Sequence, residues 1–221
     1  MVIPREAGRI TYSTEVKNLK NRSRFSDIQR AVLIGSVLGD GHLEANQHCV
    51  NYRARFAQSI KQKDYLLWKY NHLKDFVSSK PRLHQASRSI LFSTINHPEI
   101  SELARVFYRK KIKILPENIS EFISNPMVLA VWFMDDGNAI VRNNKTCGYH
   151  LNTQSFTKNE NENISTVFRD IYGIENLLEK NHGKYRLRIM KKLSRDKFRE
   201  VIKNHILDSM KYKLGWICDS P

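Results

Sequence analysis

Leu129–Gly137 reads LAVWFMDDG, an apolar run that closes on two aspartates and a glycine. A weaker echo, Leu33–Gly41 (LIGSVLGDG), also ends in Asp-Gly. The two Asp-Gly pairs, Asp40-Gly41 and Asp136-Gly137, stand 96 residues apart in a chain of 221. Each run is too short to cross a bilayer, which takes roughly 20 apolar residues. Each has the length of a short helix buried on most sides. The acids then fall at helix C-termini, where partial negative charge disfavours a carboxylate by about 0.3–1 kcal/mol. Packing two such helices together would also crowd two carboxylates. A cation offsets both costs, so the pattern directs attention to a paired-helix metal site.

Composition narrows the partner. Lysine and arginine number 37 against 22 acids, a net charge of +15. Such an excess fits an anionic polymer, nucleic acid above all. A membrane partner is not expected, because neither a basic amphipathic helix nor a long apolar span stands out. Hydrophobic residues make up 41%, enough for a core. The length suits one large domain or two of about 100 residues. Cys49, Cys147 and Cys218 are far apart, with no CxxC and no His-Cys cluster. Reduced thiols in an intracellular protein are expected, not zinc or disulfides. The basic, polar N-terminal stretch lacks the apolar core of a secretory signal. Mitochondrion, chloroplast and bacterial cytoplasm all fit.

The rest of the chain repeats one order. Ser26 with Gln29 forms a capping-box start for a helix through Val37 and Leu38 that stops at Gly41. Val50, Tyr52, Ala54 and Phe56 alternate with Asn51, Arg53 and Arg55, a strand with an apolar and a cationic face. Helical spacing over 64–76 (Tyr65, Trp68, His72, Leu73, Phe76), a hairpin over 82–95 and a helix over 99–108 follow. Asn125 and Pro126 then start the second apolar helix. Strands over 138–142 and 147–156, a helix marked by Ile164, Val167 and Phe168, a hairpin over 177–190 and a helix over 196–204 complete it.

Short identities run in step with this order. Gln58-Ser59 and Gln154-Ser155 each follow their Asp-Gly aspartate by 18 residues. Ile100, Leu103 and Ala104 match Phe198, Val201 and Ile202 at an offset of 98, and Lys113 matches Lys213 at 100. An ordered set of this kind indicates an internal duplication.

The two motifs resemble those of LAGLIDADG homing endonucleases of the single-chain, two-motif class. The second is the stronger match. In the first, Leu38 stands where the family often has a further aspartate, and Ser36 and Gly39 occupy positions that vary. The stretches Asn125-Pro126-Met127, Leu151–Thr157 and Met210–Leu214 are similar to an intron-encoded member. The resemblance implies an α+β fold: two pseudo-symmetric αββαββα units, each with a four-stranded antiparallel sheet, forming a DNA-binding saddle. Residues 1–25 would be an N-terminal extension, 26–119 the first unit and 120–221 the second. It also implies a monomeric, site-specific double-strand DNA endonuclease that serves intron homing and recognises a long asymmetric target. Mg²⁺ is the implied cofactor, with Mn²⁺ substituting and Ca²⁺ supporting binding without cleavage. Two rivals share the fold: an RNA maturase that assists splicing, and a catalytically inactive DNA-binding protein.

On this resemblance Asp40 and Asp136 are the catalytic metal ligands, with Gly39 and Asp135 beside them in the metal set. Carboxylates are hard donors suited to Mg²⁺, although an isolated Asp-Gly is more often a plain turn. Lys113 and Lys213 would stand beside the scissile phosphates, unless they belong to a solvated basic face. Gln58 and Gln154 would hold solvent near the cut, or merely pack at sheet ends. Asn51, Arg53, Arg55, Arg82, His84, Arg88, Lys184, Arg186 and Arg188 form the expected groove-facing set, for bases or phosphates. Trp68, Trp132 and Trp216 are expected in the core.

Overall fold

The computed structural model describes residues 23–46 and 50–215, so Trp216, Cys49, Cys218 and residues 1–22 of the expected extension lie outside the described residues. The chain divides between Phe107 and Tyr108 into two compact units. Each contains the order helix, hairpin, helix, hairpin, helix.

In the first unit α1 spans Asp27–Leu38, β1 His42–Ala45, β2 Tyr52–Ser59, α2 Lys63–Leu73, β3 Arg82–His84, β4 Ser89–Ser93 and α3 Pro98–Phe107. The strands form one antiparallel sheet in the order β1-β2-β4-β3. The capping box at Ser26 is present, with Gln29 N donating to Ser26 Oγ at 3.3 Å and Ser26 N to Gln29 Oε1 at 2.9 Å. Every residue from Ala31 to Leu38 is buried, as a helix apolar on all sides requires. The helix ends three residues before the expected stop at Gly41. Gly39 leaves helical geometry at ψ −129, which places Asp40 in a turn beyond the helix rather than on its last residue. Gly41 N then returns to Ser36 O at 2.6 Å.

The alternation of β2 holds: Ala54, Phe56 and Gln58 are buried, Arg53 and Arg55 exposed. Val50, expected to point inward, precedes the strand and is 62% exposed. The α2 face is rotated from the expected one. Trp68 and His72 are only half-buried, while Lys69 is buried with its ammonium 4.4 Å from the Tyr65 ring centroid. A lysine stem is apolar enough to pack there, and the aromatic face takes the charge. Phe25, the last residue of the expected extension, is seated in this unit: its ring packs on Phe76 and His97, and its N–H donates to buried Glu99.

In the second unit β5 (Tyr108–Arg109) and β6 (Ile112–Lys113) form a small hairpin before a short helix, α4 (Ile119–Ile123). Then come α5 Pro126–Asp136, β7 Gly137–Arg142, β8 Lys145–Leu151, α6 Lys158–Tyr172, β9 Leu177–Asn181, β10 Lys184–Ile189 and α7 Lys192–Ile202. Its sheet repeats the first topology, β7-β8-β10-β9. Asn125 caps α5 through Met127 N at 2.9 Å, with Pro126 in the first turn. The hairpin turns Asn143-Asn144 and His182-Gly183 take positive φ at both positions, as tight hairpins of right-twisted strands demand. Residues 152–156, expected as strand, instead fold into a turn. Asn161 explains it, donating to the carbonyls of Thr153, Phe156 and Thr157 in place of a strand partner. Trp132 and Phe133 on α5 are fully buried, and Phe133 packs edge-on against Tyr149 and Phe198.

Candidate cleavage site and nucleic-acid interface

Both Asp-Gly glycines are sterically required. A Cβ on Gly41 would lie 2.6 Å from the Ser36 main-chain oxygen, and one on Gly137 would lie 2.0 Å from the Phe133 ring. The chain thus folds back on its own helix immediately after each aspartate, and the aspartate is left at the rim. Asp40 is exposed and Asp136 half-buried.

In the first unit Gln58 is the aspartate's neighbour. It lies on the core-facing side of β2, paired with Ile90, and its Nε2 donates to Asp40 Oδ2 at 3.3 Å. The 18-residue spacing read from the sequence therefore closes a real contact here. In the second unit Gln154 Nε2 donates instead to Asn181 Oδ1 at 3.4 Å, and Asp136 O accepts Asn152 N at 2.9 Å.

The two lysines sit on anchored segments of the second unit. Lys213 belongs to a 3-10 stretch, Asp208–Leu214, whose Leu214 carbonyl accepts Tyr149 Oη at 3.2 Å. Lys213 Nζ donates to Asp135 O at 2.7 Å. Asp135 itself is buried at the end of α5. Lys113 ends β6, and Leu115 N, two residues on, donates to Glu160 Oε1 at 2.7 Å. Glu160 also closes the capping box of α6 with Thr157, so one carboxylate fixes both the helix and the Lys113 segment. Burial tends to raise the Glu160 pKa, but the Leu115 and Thr157 hydrogen bonds outweigh it and hold the carboxyl below its usual range. Neither Tyr149 nor Glu160 was legible as a positioning residue, because each acts across a distance that only tertiary structure closes.

Each sheet has a cationic face opposite its helices. On the first, Arg53, Arg55, Arg82, His84 and Arg88 are exposed, and Asn51 is exposed just before β2. On the second, Lys184 is exposed while Arg186 and Arg188 are half-buried. Two acids that no sequence pattern marks lie among them: Glu44 bonds Arg53 and Arg55, and Glu179 bonds Arg186 and Arg188. His150 joins the second group, with Nε2 3.0 Å from Glu179 Oε2. Its burial and the Arg186 charge push its pKa down, against the pull of Glu179.

The rim carboxylates are hard oxygen donors of the kind that suits Mg²⁺. Among the described residues no three His, Cys, Asp or Glu side chains form a metal-holding group. Each unit offers one rim carboxylate. Mg²⁺ takes one or two carboxylates and completes its shell with water and phosphate oxygens. Cys147 is a half-buried free thiol. Among the described residues no helix is long and apolar enough to cross a membrane.

Residues 30–198 match the model of the LAGLIDADG DNA endonuclease family. The chain belongs to this family. Within it, I-ChuI, a DNA endonuclease of Chlamydomonas applanata, is 28% identical over 207 residues, covering 85% of this chain and 94% of that protein. Cytochrome b mRNA maturase bI2 of Debaryomyces hansenii is 29% identical over 196 residues, 83% of this chain and 72% of the maturase. Protein RecA of Mycolicibacterium fallax is 31% identical over 204 residues, 87% of this chain and 47% of that protein. The chain thus spans about half the length of several curated relatives it matches. The LAGLIDADG fold is equally clear in three dimensions. The homing endonuclease I-WcaI, solved bound to its DNA recognition sequence, superposes with a TM-score of 0.83 at 25% identity, covering 95% of this chain and 96% of that one.

Proposed function

We propose that this LAGLIDADG protein is a site-specific double-strand DNA endonuclease of the homing type, with Asp40 and Asp136 as the acids of its two cleavage centres. The observation that carries the reading is the repeated design. Each unit places an aspartate at or just beyond the C-terminal end of its motif helix and backs its helices with a sheet whose other face is cationic. The similarity to I-WcaI and I-ChuI supports the same reading.

Asp40 and Asp136 would hold Mg²⁺, which when bound activates water and stabilises the leaving oxygen. The protein's own groups do the rest. Gln58 orients the Asp40 carboxylate from the core side. Lys213, held at the Asp135 carbonyl, offsets charge on the phosphoryl group, and Lys113 does so from β6. The arginines of the two sheets bind phosphates and base edges along a long asymmetric duplex, with one chain acting alone.

Incubation with Mg²⁺ and the intronless allele of the gene that carries this reading frame tests the proposal. A double-strand cut at one site is expected. The similarity to maturase bI2 favours one second reading, assistance to splicing of the cognate intron. Splicing help without any cut would select it.

A further inference from the structure

Each sheet carries one acid on its cationic face, and both acids grip arginines in the same way. Arg53 donates from Nε at 2.9 Å and from Nη2 at 2.8 Å to one oxygen of Glu44, and Arg55 Nη1 donates to the other at 2.8 Å. Arg186 donates from Nε at 2.7 Å to Glu179 Oε2, with Nη2 at 2.6 Å from the same oxygen, and Arg188 Nη1 donates to Oε1 at 3.2 Å. The registers agree too. Glu44 faces Arg53 directly and Glu179 faces Arg186 directly, with the second arginine one same-face position along.

The strands involved are not duplicates of each other. Glu44 is on β1 and grips arginines of β2; Glu179 is on β9 and grips arginines of β10. In the repeated order β9 corresponds to β3, not β1. A position copied at duplication does not account for the match, so a shared requirement of the two faces must.

We propose that Glu44 and Glu179 are specificity-determining residues of the DNA interface: each carboxylate fills the phosphate-seeking edge of one arginine and steadies the next, which favours base edges over phosphates for the donor hydrogens left over, Arg186 Nη1 being held as well by Asn152 Oδ1 at 3.3 Å. The inference rests on the DNA-endonuclease reading. An unrestrained guanidinium pairs with any phosphate through two parallel N–H groups and carries no sequence information. A carboxylate mimics that partner. With Nε and Nη2 of Arg53 engaged, the Nη1–Nη2 end of the fork is what can still pair side by side with guanine O6 and N7. Both carboxyls titrate below their usual range: burial works to raise them, and the arginine bonds and charges outweigh it. They are therefore ionised at neutral pH, and each trio presents one net positive charge to DNA in place of two.

Glu44→Gln and Glu179→Gln test this without opening the core, since both acids lie on the exposed sides of their sheets. Wild type and variants select duplexes from a random pool without divalent metal, so that binding is read apart from cutting. Affinity for the selected duplex and for a scrambled one is then followed against salt. Wild type should enrich one long site. Each variant should bind scrambled DNA about tenfold tighter, with a salt slope steeper by about 1–2, and lose base preference at a few adjacent pairs, different for the two variants. Glu44→Asp, which keeps the charge, should stay nearer wild type than Glu44→Gln. Unchanged base preference and salt slope in both glutamine variants would overturn the proposal. So would failure of both to fold, which would make the acids structural braces. If wild type enriches no sequence, the endonuclease reading itself fails.

Discussion

Lys213 Nζ donates to the main-chain oxygen of Asp135 at 2.7 Å, so an ammonium closes the C-terminal end of α5 one residue before Asp136. Last-turn carbonyls lack intrahelical donors and carry partial negative charge, and a cation there is worth about 0.3–1 kcal/mol. In the proposed reaction the same charge lies beside the phosphate under attack. Lys213→Met keeps the stem and deletes the charge. Single-turnover cleavage should slow by about 10²-fold, while affinity for the target duplex, measured by titration, changes by less than about threefold. A parallel loss of affinity would make Lys213 a phosphate anchor only.

Gln58 touches the Asp40 carboxylate, whereas Gln154 is engaged with Asn181. The two proposed cleavage centres are therefore unequal in their glutamine contacts. Gln58→Leu should slow the cut that depends on Asp40 by about 10-fold, a typical cost for a group that orients a ligand. Supercoiled target plasmid should accumulate as nicked circles before it becomes linear. Linear product without a nicked intermediate would contradict this.

Gly41 and Gly137 leave no room for a side chain. Gly41→Ala sets a methyl against the Ser36 carbonyl, which cannot move without shifting α1, and Gly137→Ala sets one against a Phe133 ring pinned by Tyr149 and Phe198. Overpacking of this kind costs about 1–3 kcal/mol. Thermal melts should drop by roughly 3–10 °C for a chain of this size. An unchanged melt would mean that the chain does not turn back on its helix as described.

Stability should fall with acid in two steps. Burial lowers the pKa of His72, and burial with the Arg186 charge lowers that of His150, both from 6.5. The unfolded chain therefore takes up protons first as pH falls through 6.5, and stability drops from there towards the folded-state values. Glu44, Glu160 and Glu179 have pKa values held below 4.5 despite burial, so their contribution is present above 4.5 and lost below it. Melting temperature against pH should show both descents. His72→Asn with His150→Gln should flatten the upper one and leave the lower.

Much of this was legible because local chemistry specified it. Ser26 with Gln29 and Asn125 with Pro126 announce the two motif helices, and the Tyr52, Ala54, Phe56 alternation announces β2. The misses share a cause in tertiary contacts. The turn over 152–157 depends on Asn161, and α7 begins at Lys192, four residues before the expected Asp196. The hairpin carrying Lys113 packs within the second unit, which no local signal in the sequence announces. The site shows the same division. The Asp40–Gln58 contact was readable from spacing, because a duplication repeats the same 18-residue interval in both halves. Glu44 and Glu179 were not, because they occupy unmatched strands and become partners of arginine only once register is known.

Asp40 and Asp136 carry the central claim, and their neutral isosteres test it most directly. Asp40→Asn and Asp136→Asn are each assayed on the target duplex with Mg²⁺ for cutting of both strands and without metal for binding. Each is expected to abolish double-strand cleavage and to bind at least as tightly as wild type, since one negative charge near phosphate is removed. Cleavage that survives in either variant, or binding lost together with cleavage, would contradict the assignment of the two aspartates as the acids of the cleavage centres.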